Sequence, residues 1–383
     1  MSYNFTIPKS MYIGENAFTD SLNELCTLGK KALIVSGQSM MKQGYMKQLV
    51  EQLENRGIQS CIYSEISGEP TDLMIQKGAD LYQDAGCDFL IGFGGGSPLD
   101  SMKAIAVLVA NGGKITDYTG KEISGELPNM LAIPTTAGTG SEVTQFTIIT
   151  NTKSNIKMLL KGKELIPDMA VIDPQFTMTT PPQITAATGL DALCHAIEAY
   201  TSRKSQSMSD TFALSAVKRI FKYLPRVYLD GKDKEARTEM SLAALEAGIA
   251  FNNSSVTIIH GMSRPIGAMF NVPHGISNAM LMKECLQFAL DGAYHCFAEL
   301  ARAIGAASEE DSEQKAAELF IVEIEKLCKI CEIPTLKQYG INLKQFESAI
   351  EKMSKDAFDS GSPSNTVKNV QVSDMERIYR NLL

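Results

Sequence analysis

Short apolar runs alternating with amphipathic stretches dominate the chain up to about residue 175. Ala32-Leu33-Ile34-Val35 reads as a buried strand, as do Gln59–Tyr63, Asp88–Phe93 and Met130–Ile133. Between them, apolar positions at helical spacing predict a helix from about Met40 to Arg56, closed by Gly57. A second runs from Thr71 to Ala85, stopped by Gly86, and a third from the glycines after Phe93 to about Ala110. Continuous apolar strands separated by helices suit a parallel sheet covered on both faces, since neither side of such a strand meets water.

Beyond about residue 180 the β signal nearly vanishes. Helical periodicity runs over Gln183–Ser202, Ser207–Tyr223, Lys234–Phe251, His274–Phe288, Cys296–Ile304 and Asp311–Cys331. A polar stretch, Ser360–Asn365, precedes a last short helix at Ser373–Leu382. The change of period, with Pro181 and Pro182 breaking regular structure, puts the boundary near Thr177–Pro182. Two domains are expected, 1–179 and 180–383, as the 383-residue length also favours. No internal repeat is visible.

Composition narrows the partners. Hydrophobic residues make up 44% and charged ones 21%, the profile of a globular protein in water. The net charge of −8, with no basic block, argues against nucleic acid. The first residues, Met1 to Phe5, lack the regions of a signal peptide, and apolar runs such as Ala104–Ala110 are too short to cross a bilayer, so no membrane is expected. Eight cysteines without framework spacing suggest a reducing cytoplasm. The one CxxC, Cys328–Cys331, fits an apolar helix face and is assigned no function.

Gly94-Gly95-Gly96-Ser97-Pro98-Leu99-Asp100 sits between a predicted strand and a predicted helix. Glycines let backbone N–H groups approach a diphosphate, and the helix start adds its positive end. A ligand-free tight turn would use the same residues. A second run, Pro134 to Glu142, rich in hydroxyls and glycine, follows the strand Met130–Ile133. Two such loops at the carboxyl ends of parallel strands would face one crevice, which favours a nucleotide. The strand Ala32–Val35 ends in Ser36-Gly37-Gln38-Ser39, with no acid to read a 2′-hydroxyl. Gly37 leaves room for a 2′-phosphate that Ser39 and Lys42 could bind, so NADP is favoured over NAD.

Metal chemistry is written in the other half. Asp191 and His195 lie four apart in a strong helical pattern, hence on one face. The chain has four histidines, and two more, His260 and His274, fall in the helical half near glycine and proline. One carboxylate and three imidazoles would hold a divalent ion with residual positive charge, the requirement of a Lewis acid. Singly, each histidine is as well explained by a hydrogen-bonded, partly buried ring. His295 has no partner pattern. Glu198, one turn past His195, is expected in solvent rather than orienting a ligand.

Together these motifs resemble the iron-containing alcohol dehydrogenase family. The resemblance spans GGGSPLD at 94–100, PTTAGTGSEVT at 134–144, TGLDALCHAIEAY at 188–200, AFNNSSVTIIHG at 250–261 and VPHG at 272–275. It implies an α/β plus all-α fold: an N-terminal Rossmann-like parallel-sheet domain followed by a C-terminal all-helical metal-binding domain, with the active site in the cleft between them. Asp191, His195, His260 and His274 match the metal-ligand positions. Gly95, Gly96, Ser97 and Asp100 match the first, pyrophosphate-binding cofactor loop, and Thr135, Thr136 and Thr144 the second. Lys157 and Phe251 match positions near the cofactor and its nicotinamide, and Gly37, Gln38 and Ser39 the ribose end. Members that prefer NAD often carry Asp at the position of Gly37.

The implied reaction passes a hydride between NAD(P) and a primary alcohol or aldehyde, with Fe²⁺ or Zn²⁺ suiting three nitrogens and one oxygen equally. Diols and hydroxy acids stay open as substrates, and a homodimer is implied. Many members carry a further histidine four residues after the third ligand; here it is Arg264, which cannot shuttle a proton. Arg264 is expected either to meet an acidic or strongly polar substrate tail or to form a structural ion pair. The competing readings are a non-redox NAD and zinc enzyme of the dehydroquinate synthase type, for which too few basic side chains surround the ligands, and a nucleotide-binding regulator with a silent site.

Overall fold

The computed structural model describes residues 2–154 and 156–383. Met1, where the N-terminal stretch read above begins, lies outside them. By spatial neighbourhood the chain divides into two compact units, one of Thr6–Thr180 and one of Pro181–Leu383 joined by the N-terminal residues through Phe5.

The first unit carries the strands β1 (Ser10–Ile13), β2 (Lys31–Gly37), β3 (Gln59–Ile66), β4 (Phe89–Gly94), β5 (Met130–Pro134), β6 (Phe146–Asn151), β7 (Ile156–Lys161) and β8 (Met169–Ile172). Its helices are α1 (Ala17–Leu25), α2 (Gln38–Lys42), α3 (Tyr45–Glu54), α4 (Asp72–Asp84) and α5 (Gly96–Asn111). Six strands form one sheet in the order β1-β8-β5-β4-β2-β3, every pair parallel. Both faces are covered, and alternate residues of one strand enter different cores. Leu33 and Val35 pack on one side of β2, Ala32 and Ile34 on the other. That double burial is why these strands read as unbroken apolar runs.

Two details depart from the periodicity, and one packing feature adds to it. The single helix expected from Met40 to Arg56 is two, because Gly44 between them takes a left-handed backbone (φ 81°) that ends one helix and starts the next. Strands β6 and β7 pair antiparallel as a separate two-stranded sheet, outside the parallel pattern. Phe176, just after β8, anchors the face under α1 and α3: Phe18, Tyr45 and Phe93 all meet its ring edge-on, at 5.9, 5.4 and 5.1 Å between centroids.

The second unit is helical: α6 (Pro182–Tyr200), α7 (Ser207–Leu229), α8 (Lys234–Asn252), α9 (Ile258–Phe270), α10 (His274–Ala289), α11 (Tyr294–Ala303), α12 (Glu313–Ile330), α13 (Leu336–Tyr339), α14 (Leu343–Asp359) and α15 (Val372–Arg380). The helices α9 and α14 lie where the sequence suggested no element. In α9 the cause is local: Gly261, Pro265 and Gly267 lower helix propensity, and tertiary contacts override it. In α14 the apolar spacing Phe346, Ala349, Ile350, Met353 and Ala357 follows an Asn342 cap, so that helix was readable. The polar stretch Ser360–Asn365 is an ordered turn, with Asn365 donating to Ser255 Oγ and to the Val256 carbonyl. None of the helices among the described residues is long and apolar enough to cross a membrane.

Phe176→Ala is expected to destabilise the sheet-bearing unit by about 3–5 kcal/mol, the usual cost of emptying an aromatic core position. Urea unfolding followed by circular dichroism measures it, and a shift below ~1 kcal/mol would show that the cluster is not an anchor.

Candidate metal and cofactor sites

Helix α6 is apolar nearly all round. Leu190, Leu193, Cys194, Ile197 and five alanines are buried, so the helix has no solvated side to give its polar residues. Asp191, His195 and Glu198 at i, i+4 and i+7 therefore point into protein. Asp191 and His195 are 3% and 5% exposed and Glu198 is fully buried, which overturns the expectation of a solvated Glu198. A carboxylate on a helix without a wet face has to find partners.

Glu198 finds them on α9. Its Oε1 accepts from Thr257 Oγ1 (2.7 Å), from the Ile259 N–H (2.7 Å) and from the His260 N–H (3.4 Å), and so caps the first turn of that helix. Its Oε2 accepts from His260 Nδ1. With Nδ1–H held there, the lone pair of His260 is on Nε2. His260 Nε2 lies 3.5 Å from Asp191 Oδ1, and His274 Nε2, at the start of α10, lies 3.6 Å from the same oxygen. The ring of His195 stacks between Phe251 (4.2 Å) and His260 (4.5 Å).

Asp191, His195 and His260 offer ligand atoms that all lie within 4.8 Å of one another, as a metal site requires. Asn278, one turn beyond His274, tests whether these atoms suit a cation. Its Nδ2 donates to Asp191 Oδ1 (2.6 Å) and lies 3.2 Å from both His260 Nε2 and His274 Nε2. One carboxylate oxygen and two imidazole nitrogens converging around one small NH2 group make up the donor set of a cation site, and the set fits a divalent ion. Asn278 carried no sequence signal of its own; only its i+4 spacing from His274 could have drawn notice.

Electrostatics follow from the crowding. Burial disfavours a charged Asp191, yet the three imidazoles hold its carboxyl well below the usual range. Burial likewise favours a neutral His260, but Glu198 and Asp191 push it up to about 9, so an ion bound at Nε2 would displace a proton from it. Close helix approach makes the cluster possible. A Cβ on Gly275 would sit 2.2 Å from the carbonyl of Ala187, so only glycine after His274 lets α10 touch α6 one turn before Asp191.

In the sheet-bearing unit Gly94 pairs with Pro134, and the Thr135 N–H donates to the Gly94 carbonyl (2.9 Å). The two glycine loops thus begin side by side, and a Cβ on Gly96 would meet Thr139 at 2.7 Å. Gly95 caps the sixteen-residue α5, with Ser97 in its first turn and Thr136 beside it. A cavity of about 270 Å³ is lined by Gly37, Ser39, Gly94, Gly95, Ser97 and their neighbours. It lies where β2 and β4 are adjacent and their connections leave to opposite sides, the place where open parallel sheets bind ligands.

Other positions are engaged by protein. Asp100 accepts from Ser141 Oγ (2.6 Å) and the Ile148 N–H (3.0 Å), tying α5 to the second loop and to β6. Thr144 accepts from the buried Lys103 Nζ through its carbonyl (2.8 Å) and its hydroxyl (3.1 Å). Burial pushes Lys103 down to about 8 despite Asp100 and Glu142 nearby. Gln38 donates to the Ser64 carbonyl (3.1 Å), Lys157 pairs with Glu69 (3.1 Å), and Ser39 and Lys42 are exposed. His295 sits on the surface beside Glu299 and Glu313.

The family model for iron-containing alcohol dehydrogenases matches residues 8–174, and the model for the C-terminal part of the Fe-containing alcohol dehydrogenase family matches 185–383. The chain belongs to the iron-containing alcohol dehydrogenase family. It is a metal-dependent oxidoreductase acting on alcohols with a nicotinamide cofactor. It is 34% identical to an NAD-dependent methanol dehydrogenase of Bacillus methanolicus, over 99% of this chain and 100% of that protein. Identity is also 34% to an NADPH-dependent butanol dehydrogenase of Clostridium saccharobutylicum, over 98% and 96%. A crystal structure of a 1,3-propanediol oxidoreductase superposes with a TM-score of 0.96 at 30% identity, over the full length of both chains.

Glu198→Gln keeps the shape of this carboxylate and removes its charge. It is expected to lower metal affinity about 10- to 100-fold, as losing a ligand-orienting carboxylate does. Competition with a chromophoric chelator measures this without any turnover, and an unchanged affinity would show that Glu198 serves only the fold.

Proposed function

We propose that this enzyme interconverts a primary alcohol and its aldehyde using NADP in preference to NAD, at a divalent Fe²⁺ or Zn²⁺ ion held by Asp191, His195, His260 and His274. The observation that carries the reading is the convergence of His260 Nε2, His274 Nε2 and Asp191 Oδ1 on the single Asn278 amide, with His195 stacked alongside. An ion there would act as a Lewis acid on the alcohol or carbonyl oxygen, and the nicotinamide would take or give the hydride. The protein's own part is orientation. Glu198 fixes the tautomer of His260, and Phe251 and His260 sandwich the His195 ring.

The support for NADP is chemical. Gly37 closes β2 without an acid, the exposed Ser39 lines the glycine-rich cavity, and the exposed Lys42 ends the short helix that follows. The family includes proteins named for either cofactor, such as the methanol and butanol dehydrogenases above. Asp100 and Thr144 serve by holding the two loops in place, and the backbone around Gly95, Gly96 and Ser97 receives the pyrophosphate. Eight free thiols suit a reducing cytoplasm, and the reading includes a homodimer, which light scattering checks.

Chelation is expected to abolish aldehyde reduction, with Fe²⁺ or Zn²⁺ restoring it; turnover that survives metal removal would sink the assignment. Gly37→Asp is expected to move the NADPH-to-NADH preference toward NADH by about tenfold or more, the factor equivalent to ~1.4 kcal/mol of charge repulsion. A Cβ at this position lies 3.1 Å from the Ile66 carbonyl, so Gly37→Ala is the control for crowding alone. A preference that moves as far in the alanine variant would refute the reading of Gly37.

A further inference from the structure

One cation in the helical unit is placed as no structural ion pair would be. Arg264 lies on α9 one turn beyond His260, and helical side chains lean back toward the N-terminus, toward the turn that bears this ligand. Among the described residues its guanidinium has a single hydrogen bond, Nη1 to Ser362 Oγ (3.1 Å). Ser362 begins the short turn Ser362–Asn365, whose Pro363 would lie 2.7 Å from a Cβ on Gly261, the neighbour of His260. The guanidinium is therefore held at the level of the metal ligands.

Among the described residues no carboxylate lies within 4.0 Å of it. Arg264 is nevertheless mostly covered by protein, and burial works against its charge with only the more distant Glu198 in its favour. Its other N–H donors are not among the sealed, unpartnered side-chain atoms of the interior, so they open on accessible space. A half-buried guanidinium whose remaining donors open on accessible space is placed to receive a planar anion. The local charge agrees: the carboxylates of Asp191 and Glu198 balance a divalent ion, and Arg264 then leaves the site positive.

We propose that Arg264 recognises a carboxylate on the substrate, so that the preferred substrates are short primary alcohols and aldehydes with a carboxylate at the far end. This rests on the alcohol dehydrogenase reading above and narrows it to a substrate class. A guanidinium fork matches a carboxylate with two parallel hydrogen bonds, which lysine does not reproduce.

The test compares succinate semialdehyde with butanal, of equal chain length, in the metal-loaded wild type, Arg264→Gln and Arg264→Lys. The wild type is expected to favour the anionic aldehyde in kcat/KM by about tenfold or more, and the glutamine variant to lower that ratio by about ten- to a hundredfold. Lysine should restore part of it. Wild-type preference should also shrink with rising salt, a readout that survives if a variant fails to fold. Calorimetric titration with butyrate, which needs no turnover, should show weaker binding in the glutamine variant. A ratio that the substitutions leave in place, or equal butyrate binding in both proteins, overturns the role of Arg264. A wild type that reduces butanal at least as well as the anionic aldehyde overturns the substrate class and leaves the alcohol dehydrogenase reading standing. A wild type that reduces neither counts against that reading, and the butyrate titration then decides Arg264 alone.

Discussion

A fully buried carboxylate, Glu198, joins α6 to the first turn of α9, and the metal-bearing unit is arranged around that junction. Taking an unpaired carboxylate out of water would cost several kcal/mol, so the residue is tolerable only with its oxygens saturated. Two backbone N–H groups at a helix start, one hydroxyl and one imidazole saturate them. Because those donors sit on α9 and the acceptor on α6, the junction sets where α9 begins and how the His260 ring is turned. The same bond leaves Nε2 of that ring as its acceptor, so one charge settles fold and ligand chemistry together.

Short ligands demand close helices. Asp and His reach only a few ångströms from their backbones, so α6, α9 and α10 have to pack more tightly than large side chains permit. Gly275 against Ala187 lets α10 in; Gly261 under Pro363 makes room for the turn that receives Arg264. On the far side of α6, Gly189 accepts Leu224 of α7, where a Cβ would sit 2.5 Å from its methyl carbon. The alanines of α6 do the same with less constraint. Small residues around the ligands therefore belong to the site as much as the ligands do, although they touch nothing that reacts.

How much of this is legible follows from whether the signal is local. The doubly buried strands, the glycine turns after β4 and β5, and the Asp191–His195 spacing are short-range patterns, and each is visible in the text. Helix α9 is not, because Gly261, Pro265 and Gly267 speak against it and the Glu198 cap that secures it comes from sixty residues upstream. Asn278 is silent for the same reason: its meaning is a meeting point of α6, α9 and α10. The burial of Glu198 is hidden for a different reason. A lone glutamate in a helix is most often solvated, whereas the apolar residues nearly all round α6 leave it no wet face. Hydrophobicity around the whole circumference was the better guide than spacing along one stripe.

The sheet-bearing unit solves its own problem with the same device. A loop meant to receive a diphosphate has to be bare, glycine backbone with little side chain, and bare loops hold their shape poorly. Here the rigidity comes from beneath. Asp100 draws Ser141 and Ile148 onto α5, and Lys103, one turn on, grips Thr144 and the Phe146 carbonyl. Lys103 is shut away from water and Asp100 is half-buried, and both are engaged by protein, so the second loop is fastened to the helix that follows the first. Conservative changes at Asp100 or Lys103 would then act on loop position. Buried charge in both units works as carpentry: it fixes helix starts and loops so that the groups left facing a ligand can be few, small and still.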